Sequence, residues 1–231
     1  MTPDTVFFFI ILMGLTAVMT AAGRKIIFGE LKETEDESTC RKGKTLWTIL
    51  CLSGFIVVSV LYILLGNSVP SERLLFLFYV YQYSTFISLV DSFSHNFYLE
   101  MLPGLFVFIP VGCFTWGVPD AVCGMLAGIS LGFIYAAIEW FALRKLSYGG
   151  GDAVYAAAAS CLIGYSNILC YCVLLTALLV IAGAVHIFYV KAVRKQTIME
   201  NRFVPLLPWI SLLTTCIYGF SIYPPMQGIL F

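Results

Sequence analysis

Apolar segments of membrane-crossing length recur from one end of this 231-residue chain to the other, and that recurrence leaves few folds open. Eight fall at about 4–22, 47–66, 74–91, 103–118, 121–143, 152–166, 168–190 and 204–222. Roughly 20 apolar residues in a helix cross the ~30 Å hydrocarbon layer, where only a helix or a closed barrel satisfies its own backbone polar groups. The residues are 60% hydrophobic and 11% charged, with a mean hydropathy of +0.93, which excludes a soluble globular domain. The longest polar stretch, Gly23 to Leu46, is too short to bury a core of its own and reads as a loop. Short links such as Asn67 to Arg73 make neighbouring spans antiparallel. The expected fold is therefore all-α, a polytopic membrane bundle of about eight transmembrane helices.

The basic residues give the direction. With the N-terminus outside, Arg24, Lys25, Lys32, Arg41, Lys42, Lys44, Arg144, Lys145, Lys191, Arg194, Lys195 and Arg202 are all cytoplasmic, and only Arg73 lies outside. Basic residues follow the first apolar segment rather than precede it, so it reads as a retained helix, not a signal peptide. Eight cysteines include no C-x-x-C pair, and all but Cys40 lie in apolar segments, where they read as small hydrophobes. No basic patch interleaved with aromatics points to nucleic acid, and no metal or cofactor is expected.

Against this background, Gly149-Gly150-Gly151-Asp152 stands out. An ionised acid at a membrane helix centre costs roughly 2.5–3.5 kcal/mol or more, so an acid beside such a segment needs a reason. Glycines without Cβ atoms let another backbone come close to it. The same topology puts Asp91, closing the third span, and Asp152, opening the sixth, at the cytoplasmic face. Two carboxylates sharing a poorly solvated site do not both ionise easily: one holds a proton while the other acts as base, the arrangement of an aspartic protease. Such a pair hydrolyses an amide with water alone.

The run also matches the G-x-G-D motif of membrane aspartic proteases, and the chain resembles the type IV prepilin peptidases and archaeal preflagellin peptidases. Leu102-Pro103-Gly104 resembles the Leu-Pro-Gly that often opens the helix after the first acid, and Val204-Pro205-Leu206-Leu207-Pro208 resembles the Ile-Pro-x-x-Pro of the last helix. The likeness covers roughly Phe76 to Tyr223. It implies a six-helix peptidase core over 74–231, preceded at 1–73 by two further helices with a short basic loop. It also implies Asp91 and Asp152 as the catalytic pair; Gly149, Gly150 and Gly151 would let the substrate backbone approach them, and Glu139 is a candidate for lining the same polar cavity. The implied substrate is a prepilin-like precursor with a short basic leader, cut at the inner face of a prokaryotic cytoplasmic membrane. Pilus or secretion assembly components are the further partners, besides the bilayer. The sequence departs from the family at three places. Val154 stands where Lys is usual, His95-Asn96-Phe97-Tyr98 replaces the usual Pro-containing segment, and the first loop has Cys40 alone instead of two C-x-x-C pairs. The zinc site that accompanies N-methyltransferase activity is thus missing.

Other polar residues have plainer readings. Asp152 can serve as a helix cap, Asp91 and Glu100 can face solvent, and Glu139 can pair with Arg144 or Lys145. His95 reads as a loop residue and His186 as a helix-contact residue. Phe76, Tyr79, Tyr81 and Tyr83 read as packing and interfacial aromatics. The run Glu33, Glu35, Asp36, Glu37 reads as a solvated loop that could also attract a basic leader. The rival functions are an intramembrane protease of the presenilin and signal peptide peptidase class, an ion-coupled transporter, and a catalytically silent scaffold of a pilus system. Val90-Asp91 and Val204-Pro205-Leu206 depart from the first rival's usual Tyr-Asp and Pro-Ala-Leu.

Overall fold

A computed structural model describes residues 3–34, 37–66, 68–94, 101–143, 150–189 and 207–223, and among these every regular element is helical. In chain order the α-helices are α1 (Pro3–Thr34), α2 (Glu37–Leu65), α3 (Ser71–Ser94), α4 (Leu102–Phe106), α5 (Phe108–Trp116), α6 (Val118–Leu143), α7 (Gly150–Ile163), α8 (Ile168–Tyr189) and α9 (Leu207–Ser221), with a 3-10 turn at Tyr165–Asn167. Three of them contain stretches long and apolar enough to cross a membrane: Asp4–Lys25, Cys40–Leu65 and Ser71–Ser92. The outward faces of α1 and α2 are apolar, with Phe7, Ile10, Val18, Ile56, Ile63 and Leu64 all exposed. Water tolerates such continuous patches poorly and lipid does not penalise them. This is a membrane protein.

Two elements differ from the sequence expectation. The polar stretch Gly23 to Leu46 is mostly helix, because α1 continues to Thr34 and α2 resumes at Glu37. Between Arg24 and Thr34 there is no proline, and Glu, Leu and Lys are good helix formers, so nothing stops the helix where its apolar part ends. The segment expected at 103–118 is two helices parted at Val107. Pro110 has no N–H to give the Phe106 carbonyl, and its ring crowds that turn.

The chain divides into two compact units, Met1–Val107 with Tyr218–Phe231, and Phe108–Ile217. In the first, α3 is the inner helix: its apolar window is 61% buried, against 22% and 17% for those of α1 and α2. Trp47 on α2 is fully buried, donates from Nε1 to the Met19 carbonyl at 3.3 Å, and meets Phe86 edge-on at 5.4 Å. Gly23 makes room for it, since a Cβ there would overlap the indole. Polar bonds join α2 to α3: the Ser53 and Tyr81 hydroxyls share one of 3.1 Å, and Gln82 Nε2 donates to the Cys51 carbonyl at 3.1 Å.

In the second unit α7 is the inner helix. Tyr155 and every residue from Ala158 to Ile163 are buried. At 14 residues it is about 21 Å long, short of the hydrocarbon thickness. It then turns by 103° into the helix that follows. The corner is Gly164, at φ +80°, a left-handed conformation that side chains resist.

Candidate functional site

Asp91 sits in the last turn of α3, on a stripe with Val80, Ser84 and Ile87. The spacing of four, three and four residues puts all four on one face of a helix. The first three are buried, Asp91 is half-buried, and its Oδ2 atom is out of contact with solvent. The position therefore faces protein rather than open lipid.

The segment after Asp91 is held back onto α3. Tyr79 donates to the Gly104 carbonyl at 2.9 Å, and Tyr83 donates to the Met101 carbonyl. The two rings stack, with centroids 5.8 Å apart and planes 7° from parallel. Gly104 is required here, because a Cβ would fall on the Tyr83 ring. Leu102-Pro103-Gly104, with Pro103 in the first turn of α4, is thus a docked corner. Tyr79 and Tyr83, expected only to pack, place it.

Asp152 is the third residue of α7, and Gly150 and Gly151 are the first two. All three stand in the first turn, where backbone N–H groups have no partner within the helix and favour negative charge. Gly149 lies outside the described residues, as do His95 and Glu100. Glu139 is in α6 and His186 in α8, and their side chains, like that of Asp152, also lie outside the described set. Val154, at the position of the family Lys, is 40% exposed. Gly150, Gly151 and Asp152 are therefore together at one helix start in the second unit, and Asp91 belongs to the first.

What positions α7 was not among the expected site residues. Gly112 on α5, and Gly124 and Gly128 on α6, each lie where a Cβ would strike α7 or the chain leaving it. Gly124-x-x-x-Gly128 is the small-x-x-x-small pattern of close membrane-helix contact, and was readable in the sequence. Asp120 was not. It accepts from Ser166 N at 3.3 Å and from Ser166 Oγ at 2.9 Å, across 46 residues. The eight cysteines are free thiols, and among the described residues no His, Cys, Asp and Glu gather as a metal site would need.

No family model, curated protein or solved structure matches the chain.

Proposed function

We propose that this chain is a membrane-embedded aspartic endopeptidase of the prepilin-peptidase type, in which Asp91 and Asp152 activate water at the cytoplasmic face. The observation that carries the reading is the Gly149-Gly150-Gly151-Asp152 run, whose last three residues open α7, a helix buried from Ala158 to Ile163. Asp91, on a buried stripe at the end of α3, supports it. In this reading the eight apolar segments each cross or enter the bilayer, the N-terminus lies outside, and twelve of the thirteen basic residues face the cytoplasm.

The two acids have opposite helical settings, and the proposed division of roles follows from them. The first turn of a helix favours negative charge and the last turn does not. Asp152 is then the base that takes a proton from water, and Asp91 the protonated partner that hydrogen-bonds the scissile carbonyl. The water oxygen bonds to the carbonyl carbon, the C–N bond breaks, and the departing nitrogen takes a proton. The products are a leader ending in a carboxylate and a mature chain with a free amine. Without side chains, Gly149, Gly150 and Gly151 let the extended precursor backbone approach Asp152, and Glu139 is the further residue assigned to the substrate in this reading. The bilayer, the precursor and components of a pilus or secretion assembly are the partners.

The test is co-expression with a pilin-like precursor bearing a short basic leader, with the mature N-terminus read by mass spectrometry. Wild type cleaves it, and Asp91→Asn and Asp152→Asn each lose cleavage. Cleavage that survives both substitutions overturns the reading.

The 103° break after α7 is the observation that favours a second reading, an ion-coupled transporter built on a broken helix. Ion flux in proteoliposomes without precursor cleavage would select it.

A further inference from the structure

The far half of α7 is buried without interruption. Ala158 to Ile163 are all buried, whereas between Ala153 and Ala157 only Tyr155 is buried, the three alanines are half-buried and Val154 is exposed. The far end is also where its polar groups are consumed. The last carbonyls of a helix have no partner within it, yet here Ser160 O accepts from Gly164 N at 3.0 Å, Leu162 O from Trp116 Nε1 at 2.8 Å, and Ile163 O from Asn167 Nδ2 at 2.8 Å. The corner beyond is locked by the Asp120–Ser166 bonds, and the space a Gly164 Cβ would take is filled by Asp120 Oδ2 and the Trp116 ring. On the sides, Gly112 lies against the Cys161 and Leu162 backbone, Gly124 against Ser160 O, and Gly128 against the Ser160 side chain.

We propose that this clamp at the far end of α7 sets the position of Asp152 at the near end, so that Gly128 and its partner Ser160 are positioning residues for the acid, with Trp116 acting through the same helix end. The inference rests on the reading that Asp152 acts in cleavage. Ser160 and Asp152 are eight residues apart, about 12 Å along a continuous helix, which moves as a rod between them. A displacement forced at Ser160 therefore appears at Asp152.

The test is Gly128→Ala in the full-length protein reconstituted in lipid, with two companions. The added methyl would overlap the Ser160 side chain, so Ser160→Gly removes that overlap and leaves only the Ala156 carbonyl oxygen close by, at 3.2 Å, whereas Ser160→Ala keeps a Cβ 2.5 Å from it. A misplacement near 1 Å costs on the order of 10²-fold in rate. The expected result is therefore a kcat for precursor cleavage lowered by roughly 10- to 100-fold by Gly128→Ala, with KM little changed. Adding Ser160→Gly restores kcat, and adding Ser160→Ala does not. Amide exchange over residues 150–157 follows the same order, faster in Gly128→Ala and back to wild type in the Gly pair. Trp116→Phe, which removes the donor to Leu162 O together with part of the ring packed at this corner, is the second variant if Gly128→Ala does not fold, and it lowers kcat in the same direction. Wild-type kcat and exchange in both Gly128→Ala and Trp116→Phe overturn the proposal, as does equal rescue by Ser160→Ala and Ser160→Gly. Failure of the protease reading appears separately, as cleavage by Asp152→Asn, and the exchange measurement then still decides whether the clamp governs the start of α7.

Discussion

Replacing Gly124 by alanine isolates the close approach of α6 to α7, because a matched control exists elsewhere in the chain. Gly14, in α1, has nothing within 4 Å of the position a Cβ would take. At Gly124 the same Cβ would stand 2.6 Å from Ser160 O, 3.0 Å from Gly164 C and 3.0 Å from Tyr165 N. All three are backbone atoms, so no side chain can rotate out of the way. Ordinary contact begins at 3.4 Å, which requires an opening of about 0.8 Å against Ser160 O. Both glycines lie within helices, so alanine brings each the same propensity gain of up to ~1 kcal/mol. Overpacking a filled contact costs about 1–3 kcal/mol. Gly124→Ala is therefore expected to be less stable than Gly14→Ala by about 1–3 kcal/mol. At roughly 2–4 °C per kcal/mol for a chain this size, that is a Tm lower by a few degrees to about 10 °C. Thermal unfolding of the two variants in lipid nanodiscs, followed by circular dichroism, measures the difference. If Gly124→Ala unfolds at or above the temperature of Gly14→Ala, the close approach of α6 to α7 is wrong.

Two further outcomes probe the first unit. Trp47→Ala empties a fully buried indole site and is expected to cost about 3–5 kcal/mol, with Trp47→Phe costing less. The same unfolding measurement ranks them, and equal stability of all three chains contradicts the packing. Tyr83→Phe deletes the donor to the Met101 carbonyl, so amide exchange in residues 101–106 is expected to rise, at a cost near 1 kcal/mol. Unchanged exchange there would mean that the corner after Asp91 is held some other way.

The helices were legible because each is an apolar run, and their interruptions were legible only where a residue enforces them. Pro110 announces the break at Val107 to a reader who asks which carbonyl it leaves without a donor. The helical continuation from Arg24 to Thr34 is not legible from polarity, because a charged stretch is compatible with both a loop and a helix. Gly149-Gly150-Gly151-Asp152 is visible as a local run, and so is Gly124-x-x-x-Gly128. The Asp120–Ser166 bonds and the grip of Tyr79 and Tyr83 on residues 101–104 join segments with no shared pattern. Periodicity says which face of a helix is apolar, but not which distant hydroxyl a carboxylate will meet.

The central claim is that Asp91 and Asp152 serve one site. Its most direct measurement is oxidative cross-linking of Asp91→Cys with Asp152→Cys, in a chain whose eight native cysteines are replaced and with a pilin-like precursor present. A disulfide needs Cα atoms within about 7 Å. The account predicts an intramolecular cross-link that neither single substitution gives. It is contradicted if no cross-link forms, either by oxidation or with a short bifunctional thiol reagent.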